Sequence, residues 1–262
     1  MKVVILCGGE GIRLKHEINF IPKGLVYIDE KPIIWHIMKR YSQFGFKEFV
    51  LALGKNGDMI RDYFLNYDRY TNNIGFTIRA PQHITHYDQS QEEDWNVTLV
   101  NTGEFGNTGV RLQRCQKYID GSDFMLTYSD CLCSVNLHSL LKHHEKRKKT
   151  VTVTGIMPPF RYGEFVLKNN RVTQYNETST LSAKQGLVNG GYMVLNKNIF
   201  EFLTPYNECT LENEVFKKLI VEKDLNVYRH DGFWQCLDND REFTYLKKLC
   251  ESNKRYWLSK NI

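Results

Sequence analysis

Apolar residues in this chain gather into short continuous runs, set apart by stretches of helical spacing. Residues 2–6, KVVIL, and 48–53, EFVLAL, read as strands buried on both faces. Between them, KPIIWHIMKRYSQFG (31–45) carries Ile33, Ile34, Ile37, Met38 and Tyr41 at helical spacing, with Pro32 near its start and Gly45 at its end. DMIRDYFLNY (58–67) predicts a second helix. The theme returns in DFMLTYSD (123–130), a strand whose end delivers an aspartate. NLHSLLKHHEKRKK (136–149) then reads as a helix and the β-branched TVTVTGI (150–156) as a strand. EFVLKNNRVTQYNE (164–177) alternates around Asn169-Asn170 and predicts a hairpin. VNGGYMVL (188–195) and FWQCL (233–237) are further strands, and REFTYLKKLCESN (241–253) is a closing helix. Residues 67–100 are polar and weakly periodic, and read as an insertion of strands and loops.

Strand alternating with helix is the pattern of an α/β fold with a mostly parallel central sheet. With 262 residues and no linker or repeat, one domain is expected over 1–262, with an elaborated C-terminal half. At 25% charged and 42% apolar, the composition is that of a folded globular chain. No apolar stretch is long enough to span a bilayer, and Gly8 comes too early for a signal peptide, so a cytoplasmic protein is expected. Seven scattered cysteines make a disulfide framework unexpected, so reduced thiols are anticipated. Cys131 and Cys133 form a C-x-C pair, but no second pair lies at zinc-site spacing. The net charge of +5 is mild, and the basic run KHHEKRKKT (142–150) reads as a solvated helix end. Neither a nucleic acid nor a membrane is an expected partner, whereas a small phosphorylated substrate suits the charge.

The chemistry concentrates after the first strand. LCGGEGIRLK (6–15) places Gly8, Gly9 and Gly11 within four positions and follows them with Arg13. Glycines there let a backbone approach a ligand and turn its amides toward phosphate oxygens. The dinucleotide fingerprint is not met, because GEGIRL puts Leu14 where a third glycine belongs, and a P-loop G-K-[ST] is absent. Those absences count against a dehydrogenase and a P-loop enzyme. Arg13 offers forked donors to phosphate, and Lys23 follows behind the stiffening Pro22. Asp130 and Asp238 end apolar strands. Each alone would serve as a helix cap; beside a phosphate loop the two read as ligands of one Mg²⁺. His36 lies among apolar residues and reads as a core histidine, and His83 and His86 fall in the insertion. No base for activating water stands out, which argues against a hydrolase.

In this order, GGEGIRL, PKGLV, KPIIWHIMKRYS, WNVTLVNTG, TGVRL, YSDC, PPFRYG, VNGGYMVL and GFWQCLD resemble the nucleotide-sugar pyrophosphorylases along nearly the whole chain. Within them the likeness is to the glucose-1-phosphate cytidylyltransferase branch. The resemblance implies a Rossmann-like nucleotidyltransferase fold, with the nucleotide held by about 1–135 and the acceptor by about 136–262. It implies that Leu6, Gly8, Gly9, Glu10, Gly11 and Arg13 wrap CTP, with Thr102, Gly103, Arg111 and Ser129 around it. Arg13 and Lys23 would contact phosphates, and Asp130 and Asp238 would bind Mg²⁺. Arg161, Tyr162, Glu177, Asn189 and Gly190 would face the acceptor. A homo-oligomer is expected, since the family's cytidylyltransferases are oligomers.

Several positions depart from the family pattern. Ile12 replaces the loop threonine, Ile21 a lysine, and Gly24 a proline. Ser129 and Cys131 stand where the family has the glycines of Y-G-D-G. In QYNETST (174–180), Thr178 stands where the family has a lysine that meets the sugar phosphate. Loss of one charge-assisted contact, worth roughly 1.5–3 kcal/mol, points away from glucose 1-phosphate. The cytidylyltransferase of capsular phosphoramidate assembly, which resembles this family, takes phosphorylated glutamine. The expected acceptor is therefore L-glutamine phosphate, with glucose 1-phosphate as the alternative and a non-catalytic nucleotide-binding regulatory subunit as the second.

Overall fold

The computed structural model describes residues 1–9, 21–87, 93–157, 164–168, 171–176 and 186–259. Strands β1 (Lys2–Cys7) and β2 (Glu48–Leu53) are joined through helix α1 (Ile33–Ser42). Helices α2 (Gly57–Leu65) and α3 (Tyr67–Thr71) follow, then a hairpin of β3 (Ile74–Thr77) and β4 (Ala80–His86). Strand β5 (Asn96–Asn101) and helix α4 (Thr108–Cys115) lead to β6 (Asp123–Tyr128) and the short β7 (Cys131–Cys133). Helix α5 (Leu137–Arg147), β8 (Val151–Ile156), the hairpin β9 (Glu164–Lys168) and β10 (Arg171–Asn176), and β11 (Val188–Asn196) come next. Helix α6 (Phe216–Val221), β12 (Leu225–His230), β13 (Trp234–Cys236) and α7 (Asp240–Glu251) complete the order.

Among the described residues one seven-stranded sheet runs β12-β8-β11-β6-β1-β2-β5. Only β11 is antiparallel to its neighbours; the other pairings are parallel. This is the mixed, mostly parallel α/β sheet expected from the alternating pattern. Its continuous apolar runs follow from burial on both faces. Successive side chains of a strand point to opposite faces, and the two cores divide accordingly. Val3, Ile5, Phe49 and Leu51 meet α1 and α7 on one face, while Val4, Leu6, Val50 and Ala52 meet α4 and α6 on the other. Among the described residues, no helix is long and apolar enough to cross a membrane.

Three features differ from the sequence reading. Residues 67–100 are not only an insertion: they include helix α3 and end in β5, the edge strand parallel to β2. The edge strand β12, none of whose six residues is buried, has too little apolar character to announce itself. Cys131 and Cys236 form a disulfide rather than two free thiols. The turn 169–170 of the expected hairpin lies outside the described residues, although its two strands pair as anticipated.

The core histidine reading of His36 holds. It is buried, and the Trp257 indole donates to its Nδ1 at 3.3 Å. Burial pulls its pKa from 6.5 down to about 4. Arg40, also on α1, is fully buried and donates to the carbonyls of Ser134, Val135 and Ser259 at 2.6, 3.0 and 2.7 Å. The C-terminal segment is thereby fastened to α1 by charge-assisted bonds and by the ring of Trp257.

Two outcomes follow for stability. Trp257→Ala should lower the unfolding free energy by about 3–5 kcal/mol, read as a shift in urea midpoint at unchanged slope. His36 binds a proton more readily when unfolded, so its contribution is complete above pH 6.5 and is lost as pH falls toward 4. Between pH 7 and pH 5 that loss is roughly 2 kcal/mol. Urea titrations of His36→Phe at both pH values should show a correspondingly smaller pH dependence than the parent; an identical dependence would exclude His36 as a source.

Candidate active site

The candidate site sits at the C-terminal edge of the sheet, where β1 gives way to Gly8 and β6 to the turn bearing Asp130. Ligands of open α/β sheets gather at this edge. Gly8 and Gly54 are obligatory for a steric reason. A Cβ on Gly8 would lie 2.1 Å from the Arg111 guanidinium, and one on Gly54 would lie 2.5 Å from the Gly8 Cα. Two backbones and one planar cation thus share a space that admits no side chain.

Arg111 is 3% exposed and lies beneath the loop, where its donors are taken up by protein. Its Nη1 donates to Thr102 Oγ1 at 2.8 Å and Gly103 O at 2.6 Å. Its Nη2 donates to Gly8 O at 3.0 Å and Glu104 O at 2.9 Å. In this structure the two Nη groups of Arg111, a residue expected around the nucleotide, brace the Gly8 and Gly103 loops. Thr102 is buried as well, its hydroxyl donating to Leu53 O at 2.7 Å. Leu6 is a buried strand residue, whereas Gly9 is exposed, and among the described residues nothing lies within 4 Å of where its Cβ would be. Gly103 turns at φ +79°, a conformation that glycine adopts without strain.

Three charged side chains meet at the mouth. The Lys23 ammonium donates to Asp130 Oδ2 at 3.0 Å and Asp238 Oδ1 at 2.5 Å. Lys23 opens a single helical turn just after Pro22, and Gly24 lets that turn lie on Ser129, with only 3.3 Å to spare for a Cβ. Asp130 follows β6, and Asp238 follows β13. They come together because β7 and β13 pair antiparallel, Cys131 opposite Cys236, with Leu237 N donating to Asp130 O at 2.8 Å. Asp238 caps no helix: Asn239 caps α7 by accepting from Glu242 N at 3.1 Å, and Glu242 accepts from Asp238 N at 2.6 Å. Asn136 caps α5, so Asp130 is free of that duty too.

Burial works against the Lys23 ammonium, but Asp130 and then Asp238 outweigh it and hold its pKa above the ordinary lysine value. Burial pushes the Asp130 carboxyl upward, opposed chiefly by Lys23. The two carboxylates aim one oxygen each at a single cationic atom. Two hard oxygen donors that remain partly solvent-exposed also fit a Mg²⁺ that keeps some waters.

Asn189 and Gly190, two residues expected to face the acceptor, lie near the start of β11. Asn189 Nδ2 donates to the Tyr128 hydroxyl at 3.3 Å, and its Oδ1 accepts from Gly191 N at 2.8 Å. Trp234 Nε1 donates to Gly190 O at 2.8 Å. Tyr128 donates to Glu212, which also accepts from Thr108 Oγ1 at 2.8 Å. Tyr128 and Trp234 lie within the motifs YSDC and GFWQCLD but were not singled out there; Glu212 sits in LENEV with no local signal of its partner. Glu10, Gly11, Arg13, Arg161, Tyr162 and Glu177 lie outside the described residues. A cavity of about 580 Å³ is lined by Ile21, Leu25, Tyr27, Met59, Tyr63 and Phe243 among others, and none of the described predicted site residues lines it.

The chain is 35% identical over 257 residues to a probable glucose-1-phosphate cytidylyltransferase of Bacillus subtilis (strain 168), covering 98% of this chain and 99% of that protein. It is 36% identical over 258 residues to glucose-1-phosphate cytidylyltransferase of Salmonella typhimurium, covering 98% of each. Among solved structures, HddC from Yersinia pseudotuberculosis superposes with a TM-score of 0.67 at 20% identity, over 94% of this chain and 98% of that one. A putative glucose-1-phosphate thymidylyltransferase from Bacillus anthracis superposes with a TM-score of 0.68 at 15% identity, over 97% and 98%. The nucleotidyl transferase family model matches residues 2–257, and the chain belongs to that family.

Proposed function

We propose that this enzyme transfers a cytidylyl group from CTP to a small phosphorylated acceptor and releases pyrophosphate. The observation that carries the proposal is the meeting of Lys23, Asp130 and Asp238 beside the Gly8 loop. The nearly full-length likeness to two cytidylyltransferases supports the choice of base. Nucleotide is assigned to the part up to about residue 135 and acceptor to the part beyond it, in a homo-oligomer working in the cytoplasm.

A phosphate oxygen of the acceptor attacks the α-phosphorus in line. One P–O bond forms as the bond to the β-phosphate breaks. Such a reaction needs no covalent protein nucleophile, only alignment and charge neutralisation. Asp130 and Asp238 would hold the Mg²⁺, which supplies positive charge to the phosphates when bound. Lys23 supplies a fixed cation at the same point, and Arg13 a second one from the loop. Gly8 and Gly103, braced from below by Arg111, present backbone without side chains to the nucleotide. Asn189 and Gly190, held by Tyr128 and Trp234, face the acceptor with Arg161, Tyr162 and Glu177.

The acceptor has two readings. The curated relatives support glucose 1-phosphate. Thr178, standing where the family pattern has a phosphate-binding lysine, counts against the usual sugar phosphate, and L-glutamine phosphate, the acceptor of a cytidylyltransferase that resembles this family, is the second reading.

Pyrophosphate release with CTP and Mg²⁺ separates them. Turnover confined to glutamine phosphate supports the second reading, and efficient turnover of glucose 1-phosphate supports the first. Binding of CTP without turnover of either acceptor would favour a regulatory subunit. Asp130→Asn, Asp238→Asn and Lys23→Met should each lower kcat by roughly 10²–10³-fold or more while the far-ultraviolet spectrum is unchanged. Retention of wild-type kcat by any one of them would remove that residue from the reacting centre.

A further inference from the structure

The free cysteines among the described residues, Cys7, Cys115, Cys133, Cys209 and Cys250, are all buried. Cys131 and Cys236 differ from them. They oppose one another across the β7–β13 ladder with Cα atoms 4.1 Å apart, joined as a disulfide. Cys236 is half-buried. Asp130 directly precedes Cys131, and one of its carboxylate oxygens and both Sγ atoms lie within 4.8 Å of one another. The same carboxylate group is the partner of Lys23.

We propose that, once reduced, Cys131, Cys236 and Asp130 form a binding site for a thiophilic divalent cation, Zn²⁺, that overlaps the transfer site through Asp130. Reduction takes two electrons and two protons from a pair of small-molecule thiols, which leave as their disulfide. Zn²⁺ then binds the two sulfurs as thiolates and two protons are released. Zn–S bonds of about 2.3 Å in a tetrahedron place the sulfurs roughly 3.8 Å apart. Directly opposed residues on paired strands reach that spacing by side-chain adjustment. Asp130 gives the third ligand, and water or a substrate oxygen completes the shell.

Ligand softness sets the selectivity. Thiolates favour Zn²⁺ strongly over Mg²⁺, while carboxylates alone suit Mg²⁺. Zn²⁺ in the reduced site draws the Asp130 carboxylate away from Lys23 and halts transfer. Exchange with a small-molecule disulfide, which takes up two electrons and two protons and leaves as two thiols, ties the sulfurs to each other, closes the zinc site and leaves Asp130 to Lys23. The chain then loses sensitivity to Zn²⁺ by thiol oxidation. The effect on turnover rests on the proposed role of Asp130; the binding of Zn²⁺ does not.

The test uses the whole protein, reduced with dithiothreitol and desalted, then titrated with zinc chloride against a chromogenic chelator. The reduced parent should bind one Zn²⁺ per chain, and the disulfide form should bind none. Cys131→Gly and Cys236→Ala, one on each strand, should weaken binding by more than the roughly 10–100-fold that loss of an outer-shell partner costs. Cys131→Gly should keep its turnover and no longer lose it when Zn²⁺ is added. Absence of stoichiometric Zn²⁺ on the reduced parent overturns the proposal. Equal binding by the disulfide form, or by both variants, does the same. Stoichiometric, thiol-dependent Zn²⁺ in a protein that turns over no acceptor supports the zinc site and refutes the transferase reading instead.

Discussion

The antiparallel contact between β7 and β13 is the constraint on which the site depends. It is a ribbon of three residues on each side, yet it joins the end of β6 to the entry of α7. Asp130 and Asp238 are remote in sequence, and each flanks one strand of that ribbon. Registering Cys131 against Cys236 brings both carboxylates onto the Lys23 ammonium. Without the register, two like charges and one lysine would be scattered over three loops.

The rest of the site is held by the same kind of economy. Arg111 is a buried cation made tolerable by hydrogen bonds to four oxygens, and those bonds stitch the Gly8 loop to the Gly103 turn. Burying a charge without partners would be prohibitive, so the guanidinium and the carbonyls it satisfies determine each other's positions. The missing side chains of Gly8 and Gly54 are part of this brace, because a methyl group at either would collide with it. Arg40 repeats the device at the far side of α1, where it anchors the C-terminal segment.

The cysteine pair adds a second chemistry to the same ribbon. Cys131 occupies a position where the family pattern has glycine, next to a carboxylate already engaged by Lys23. A substitution that changes nothing in the charged triad thereby gives the triad a soft-donor neighbour. Its effect depends on oxidation state, since a disulfide has no thiolate to offer a metal.

Much of the fold was legible in the chain. Residues 2–6, 48–53 and 123–128 lie in a sheet covered on both faces, and that condition demands unbroken apolar runs. The helical spacing of Ile33, Ile34, Ile37, Met38 and Tyr41 likewise matches the face that α1 buries. Gly8, Asp130 and Asp238 stood out as special residues at the end of apolar runs, and Lys23 as a cation behind the glycine loop and Pro22. The strand β12, by contrast, is an edge, and half-exposed edges carry little pattern. The duty of Arg111 was hidden, because an arginine in TGVRL gives no sign of whether its fork faces a ligand or the backbone beneath. The pairing of Cys131 with Cys236, and of Tyr128 with Glu212, rests on contacts between segments far apart in the chain. Sequence by itself determined which segments are buried and which residues bear charge, since those follow from local composition and period. Only the tertiary structure decided which charges meet, because hydrogen-bond and ion-pair partners are chosen by register and packing across the sheet.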